Sequence, residues 1–248
     1  MSEIIENTLY VTAKGAYIHR DGLTLKVDVE KETRLAVPIH HLQSVAIFGH
    51  VLVSPGGLGL CAENGVPVSF LTEYGRLVAR VDAPGSGNVL LRREQSRWAD
   101  SEEKSVGVSK AIVAAKVQNA RNLLLRSARE ADGDSPELRA AADRHADAIR
   151  GLPEMKTLDQ VRGAEGDAAR SYFDAFPQMI RQQKDDFPMN GRSRRPPMDP
   201  VNALLSFIYA ILAHDCVAAL TTVGLDPSVG FLHADRPGRP SLALDLME

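Results

Sequence analysis

Apolar residues in this chain keep a two-residue period as far as about residue 82 and a helical period from about residue 92 onward, a switch that few folds accommodate. Leu23, Leu25, Val27 and Val29 alternate with Thr24, Lys26, Asp28 and Glu30, so a strand there has one apolar face and one wet face. The Asp21-Gly22 pair before it predicts a hairpin with Gly15 to Ile18. Further apolar runs at 44–48, 66–71 and 77–81 are separated by Gly49, Gly65 and Gly75, which suit turns. Ser54-Pro55 reads as an N-cap with proline in the first turn, and Asn64-Gly65 as a stop, so one short helix over 55–63 interrupts the strands. Beyond residue 92 the spacing of Val113, Val117, Ala120 and Leu124 predicts a long helix over 105–130. Asp132-Gly133-Asp134 closes it, and Ser135-Pro136, the Thr157-x-x-Gln160 capping box and Asp199-Pro200 open three more, the last stopping at Gly224. The fold class expected is therefore α+β, with a β-rich domain over 1–82 and an all-α domain over 92–248.

Composition narrows the function classes. At 44% hydrophobic and 25% charged, 248 residues can bury a globular core. Cys61 and Cys216 are too isolated for a thiolate metal site or a disulfide framework, and the polar start of the chain lacks the apolar run of a secretory signal, so a cytoplasmic location is expected. Val201 to Leu220 is the most lipid-like stretch. Asn202, His214 and Asp215 interrupt it, which favours a buried core helix and no membrane contact. A net charge of −3 argues against a protein coated in positive charge, so any nucleic-acid contact must be local. The best local stretch is 179–197, where Arg181, Lys184, Arg192, Arg194 and Arg195 outnumber Asp185 and Asp186.

Glu165 is the residue that most needs explaining. It follows Val161 by four and precedes Ala168 by three, which puts it on the inward stripe of its helix. A carboxylate there must be protonated, paired with a cation or bound to a metal, unless it sits at the edge of the stripe and pairs with Arg162 or Arg170. Gly163 and Gly166 flank it and weaken the helix, which would make sense if a ligand or another backbone approached closely. His233 lies in a turn-rich segment between helices, and Asp245 and Glu248 are three apart on the final helix. One imidazole with two or three carboxylates is a hard donor set, suited to manganese or magnesium. The other histidines have no comparable company, and Arg194-Arg195 before a proline-stiffened turn suits phosphate contacts.

Taken in order, four segments resemble the CRISPR-associated integrase of spacer acquisition, the first-numbered protein of that system, with subtype I-C as the candidate within it. They are Gly163-Ala164-Glu165-Gly166 with Tyr172-Phe173; the run from Arg194 through Asp199-Pro200-Val201-Asn202 to Phe207; Gly224-Leu225-Asp226-Pro227 with Gly230-Phe231-Leu232-His233; and 241–248. The resemblance implies a β-rich domain that forms a homodimer and a helical domain with a divalent metal, Mn2+ or Mg2+, held by Glu165, His233 and Glu248, with Asp245 as a neighbouring acidic group. It implies Arg194, Arg195 and Asn202 as DNA contacts, and as partners prespacer DNA, the CRISPR repeat and the small second-numbered protein of the system. The activity implied is phosphodiester transesterification; the alternative is a non-catalytic assembly module. The last helix meets no stop signal before Glu248, and the resemblance extends over further helices, so the natural protein is expected to continue.

Overall fold

A computed structural model describes residues 2–5 as backbone and residues 7–81, 88–131 and 135–248 in full, so the expected turn at Asp132-Gly133-Asp134 falls outside the described residues. The fold is α+β, with mixed sheets first and helices after. The chain divides into two compact units, one of Met1–Gly87 and Thr221–Gly224, the other of Asn88–Leu220 and Leu225–Glu248.

Among the described residues the first unit holds nine strands and one α-helix: β1 (Ser2–Ile5), β2 (Thr8–Val11), β3 (Tyr17–Asp21), β4 (Thr24–Val29), β5 (Glu32–Pro38), β6 (Ser44–Phe48), β7 (Leu52–Val53), α1 (Pro55–Glu63), β8 (Val68–Leu71) and β9 (Leu77–Val81). One sheet runs β1-β2-β6-β8-β9 and the other β5-β4-β3-β7. In the first, β6 pairs in parallel with both β2 and β8. Consecutive residues point to opposite faces of a sheet, and Val45, Ala46 and Ile47 are all buried, so both faces of β6 are covered. The β3–β4 hairpin closes at Asp21 opposite Thr24, with Gly22 at φ +61° supplying the turn. Leu25 and Val27 point into a core shared with Leu9, Ile18, Val45, Ile47 and Leu60. Ser54 caps α1 through Gly57 N at 3.0 Å. A Cβ on Gly57 would lie 3.4 Å from the Ile18 carbonyl oxygen, which is how α1 packs closely on β3.

The second unit is helical: α2 (Val89–Ala99), α3 (Glu102–Glu130), α4 (Pro136–Gly151), α5 (Leu158–Ala175), α6 (Pro200–Thr222) and α7 (Ser241–Met247). α2 is a separate helix, ended at Asp100 and followed by Ser101, whose side chain caps α3. Apolar stripes of α3, α4 and α5 make two clusters along α3, one around Val113, Val117 and Val161 and one around Leu124, Leu138 and Ala141. The capping box at the start of α5 is complete, with Gln160 N donating to Thr157 Oγ1 at 3.3 Å and Thr157 N to Gln160 Oε1 at 3.2 Å. Ser135 precedes α4 but makes no side-chain cap bond.

Two sequence expectations fail here. α6 is long and apolar enough to cross a bilayer, yet only 22% of its most apolar stretch is buried. Leu204, Phe207, Ile208 and Leu212 face outward, so it is not the buried core helix expected. Apolarity all round a helix sets what it avoids, not which neighbour covers it. Gly163 and Gly166 meet no protein atom within 4 Å of an added Cβ, so close approach of another backbone does not explain them.

His145 on α4 is 1% exposed, its Nδ1 hydrogen-bonded at 2.7 Å to the Ala141 carbonyl oxygen. Burial, opposed by that bond and aided by Arg144, pushes its pKa below the ordinary value of 6.5. A group that protonates more readily unfolded makes stability rise with pH across the interval between its two pKa values. Stability should therefore be full above about pH 6.5 and fall as pH drops below it, by up to ~1.4 kcal/mol per pH unit, levelling off below the depressed folded value. Urea melts at several pH values should show this slope, and His145→Gln should remove that component.

Candidate active site

Four elements of the helical unit meet at the candidate site. α5 carries Glu165, α3 carries Lys116, α7 carries Asp245 and leads into Glu248, and the loop before α7 carries His233. The buried stripe of α5 runs through Val161, Ala168, Ser171 and Ala175, and Glu165 sits at its edge with 24% of its side chain exposed. Its partner is neither Arg162 nor Arg170. Lys116 Nζ pairs with Glu165 Oε1 and with Glu248 Oε2, so one ammonium joins two carboxylates 83 residues apart in sequence (248 − 165). All three side chains are about three-quarters buried. Burial opposes the charge on Lys116, but the carboxylates, Glu248 ahead of Glu165, outweigh it and raise its pKa above the ordinary lysine value. Lys116 was missed in the sequence, although it follows Val113 by three and precedes Ala120 by four.

Asp245 does other work than that expected of a neighbouring metal-site acid. Its side chain is fully buried, and its Oδ2 accepts from Phe231 N at 2.6 Å and Leu232 N at 3.0 Å. Oδ1 accepts from His233 N at 2.9 Å and pairs with His233 Nδ1 at 2.7 Å. Four donors thus converge on one carboxylate, leaving it no reason to seek a metal. The contact with Asp245 is made through Nδ1, which leaves Nε2 as the ring nitrogen not engaged by that carboxylate. From the other side, Arg162 Nε donates to the Leu232 carbonyl oxygen at 2.7 Å. Gln95 on α2 donates to the carbonyls of Asp226 and Val229 and accepts from Asp226 N. Gly230 makes this packing possible: a Cβ there would lie 2.8 Å from the His233 carbonyl oxygen and 2.7 Å from Ser241 Cβ.

A divalent cation fits this donor set in charge and type, with two carboxylates already gathered on one cation and an imidazole oriented through its other ring nitrogen. Placement is incomplete. Among the described residues no three His, Cys, Asp or Glu side chains form a group able to hold a metal ion.

Lys116, His233 and Glu248 open on a cleft of about 1070 Å³. Arg192, Arg194, Arg195, Arg236 and Arg239 line it as well, so six cations face one carboxylate in a chain of net negative charge. Arg236 and Arg239 were not anticipated. Asn202, expected on DNA, is fully buried. Its Oδ1 accepts from Arg192 Nη1 at 2.8 Å and Ser193 N at 3.0 Å, while its Nδ2 donates to the Gly191 carbonyl at 2.8 Å and to Asp199 Oδ2 at 2.6 Å. Its hydrogen bonds are spent on shaping the loop that presents Arg194 and Arg195, both exposed. Two histidines set aside in the sequence also have company: His145 lines this cleft, and His19 Nε2 pairs with Asp28 Oδ2 at 2.9 Å.

Asp245→Asn replaces an acceptor with a donor where four donors converge, and should lower stability by about 2–4 kcal/mol in urea melts. The low-field NMR resonance of the His233 Nδ1 proton should vanish with it. Unchanged stability would contradict the buttressing role.

The family model described as CRISPR associated protein Cas1 matches residues 9–248. A CRISPR-associated endonuclease Cas1 of Rhodospirillum rubrum is 48% identical over 98% of this chain and 71% of its own length. A casposase bound to an integration product superposes with TM-score 0.75 at 22% identity, covering 97% of this chain and 68% of that one. A Cas6-RT-Cas1–Cas2 complex gives TM-score 0.72 at 23% identity, covering 99% of this chain and 27% of that one.

Proposed function

The chain belongs to the CRISPR-associated Cas1 family, and from that premise we propose that it is a divalent-metal-dependent DNA endonuclease and integrase that inserts new spacers into a CRISPR array by phosphodiester transesterification. The observation that carries this reading is the convergence of Glu165 and Glu248 on a single cation beside a basic cleft. Glu165, Glu248 and Nε2 of His233 are the residues that would hold Mn2+ or Mg2+. When bound, the metal supplies charge stabilisation at a non-bridging phosphate oxygen.

The chain's own groups do the rest. Arg194 and Arg195, exposed at the cleft, bind the DNA backbone as charge-assisted donors to phosphate oxygens. Asn202 contributes only by holding their loop. Asp245 holds the imidazole through Nδ1, which leaves Nε2 available and keeps the ring from turning. In integration a DNA 3′-hydroxyl forms a new bond to phosphorus while the existing bond to a 3′-oxygen breaks; the attacker loses a proton and the leaving oxygen gains one. The number of phosphodiesters is unchanged, so no external energy source is required, and no side chain has to become covalently attached.

The partners in this reading are prespacer DNA, the CRISPR repeat, a second copy of the chain and the small protein Cas2, in the cytoplasm. Supporting them are the integration product bound by the related casposase and the Cas2 in the related complex. A second copy suits the exposed Leu52, Tyr74 and Val78 of the first unit. The subtype, I-C, rests on the resemblance of the ordered motifs alone. One observation favours the second reading, a non-catalytic assembly module: the ammonium stands between the carboxylates, and no three-ligand group is assembled among the described residues.

Strand transfer of short duplexes in Mn2+ separates the two. Glu165→Ala should lower product formation on the order of a hundredfold or more. Equal activity in the variant rejects the assigned role, and an inactive wild-type protein favours the assembly module.

A further inference from the structure

We propose that Lys116 is a displaceable counter-cation, occupying between Glu165 and Glu248 the position a divalent cation takes, so that its ion pairs and metal binding exclude one another. This rests on the reading of those two carboxylates as metal ligands. Each gives one oxygen to the same ammonium, and the three side chains are 24%, 22% and 23% exposed. Two carboxylates this close and this poorly hydrated repel, and one must protonate or swing away unless a cation stands between them. Lys116 answers that requirement and, among the described residues, carries the one positive charge that touches both.

A metal ion needs the same oxygen lone pairs. It also cannot tolerate an ammonium at contact distance, because the like charges repel in a partly dehydrated site. The two cations therefore compete for one place. Lysine suits the exchange better than arginine: its charge is a compact point on a flexible four-carbon stem, with no fork fixed to a carboxylate. Lys116 also lines the cleft, so the released ammonium has a way out to solvent. Lys116 thus holds the two carboxylates together before metal arrives, at the expense of metal affinity. This accounts for a three-ligand group that is incomplete among the described residues while its two carboxylates are already adjacent.

The test is titration of the full chain with Mn2+ alone, following loss of the six-line electron paramagnetic resonance signal of the free ion. Wild type, Lys116→Met, Lys116→Gln and Glu165→Gln are compared, with thermal melts reporting that each is folded. Two lysine replacements are included so that a folding defect in one leaves the other to be read. The expected result is binding on the order of tenfold tighter in the folded lysine variants than in wild type. Equal or weaker binding in them, with binding abolished by Glu165→Gln, overturns the displacement role while leaving the metal site intact. Absence of Mn2+ binding in wild type and both folded lysine variants overturns the metal reading and this inference with it.

Discussion

Two carboxylates cannot share a poorly hydrated corner of a protein without a cation, and the helical unit is organised around that demand. Glu165 is delivered by α5, whose first turn is fixed by a reciprocal cap, and Glu248 arrives from α7. The bridge between them stands on α3, the longest helix, whose apolar stripe holds α4 and α5 in place. Ion pairs at a solvent-bathed surface contribute little, whereas loss of one partner from a largely dehydrated pair leaves a charge uncompensated. The Lys116 bridge belongs nearer the second case, so the packing of three helices and the pairing of charges at the site depend on one another.

His233 is placed by a different device. A loop has no periodic hydrogen bonds of its own, yet residues 231–233 have all three backbone N–H groups on Asp245. One buried carboxylate thereby acts as the cap that the loop lacks, and its remaining capacity fixes the imidazole. Gly230 is part of the same arrangement, since any side chain there would collide with the His233 carbonyl and Ser241. A precise imidazole on an irregular segment is thus obtained through a buried acid on α7, three residues before Glu248 of the ion-pair bridge.

Local chemistry was legible from the residues alone. The Ser54 cap, the Thr157 to Gln160 box, the hairpin at Gly22 and the strands at 44–48 and 77–81 depend on near neighbours, and they stand where local rules place them. Errors arose where tertiary partners decide. Asn202 has the chemistry of a base-reading side chain, but its amide is used up by Gly191, Arg192, Ser193 and Asp199, contacts that no spacing announces. Asp245 was expected only as an acidic neighbour of the site, and no spacing announced the four donors that residues 231–233 direct at it. α6 reads as a core helix by composition and is largely exposed. Lys116 could have been found by the reasoning applied to Glu165, because both interrupt an apolar stripe at helical spacings of three and four residues. Two opposite charges on facing stripes are a signal that either one alone is not.

Anomalous diffraction from crystals of the full chain soaked in Mn2+ tests the central claim most directly. The account requires one manganese peak between the carboxylates of Glu165 and Glu248, within ligand distance of His233 Nε2, with the Lys116 side chain withdrawn toward the cleft. Saturating Mn2+ that leaves the Lys116 bridge intact, with no peak between those carboxylates, would contradict it.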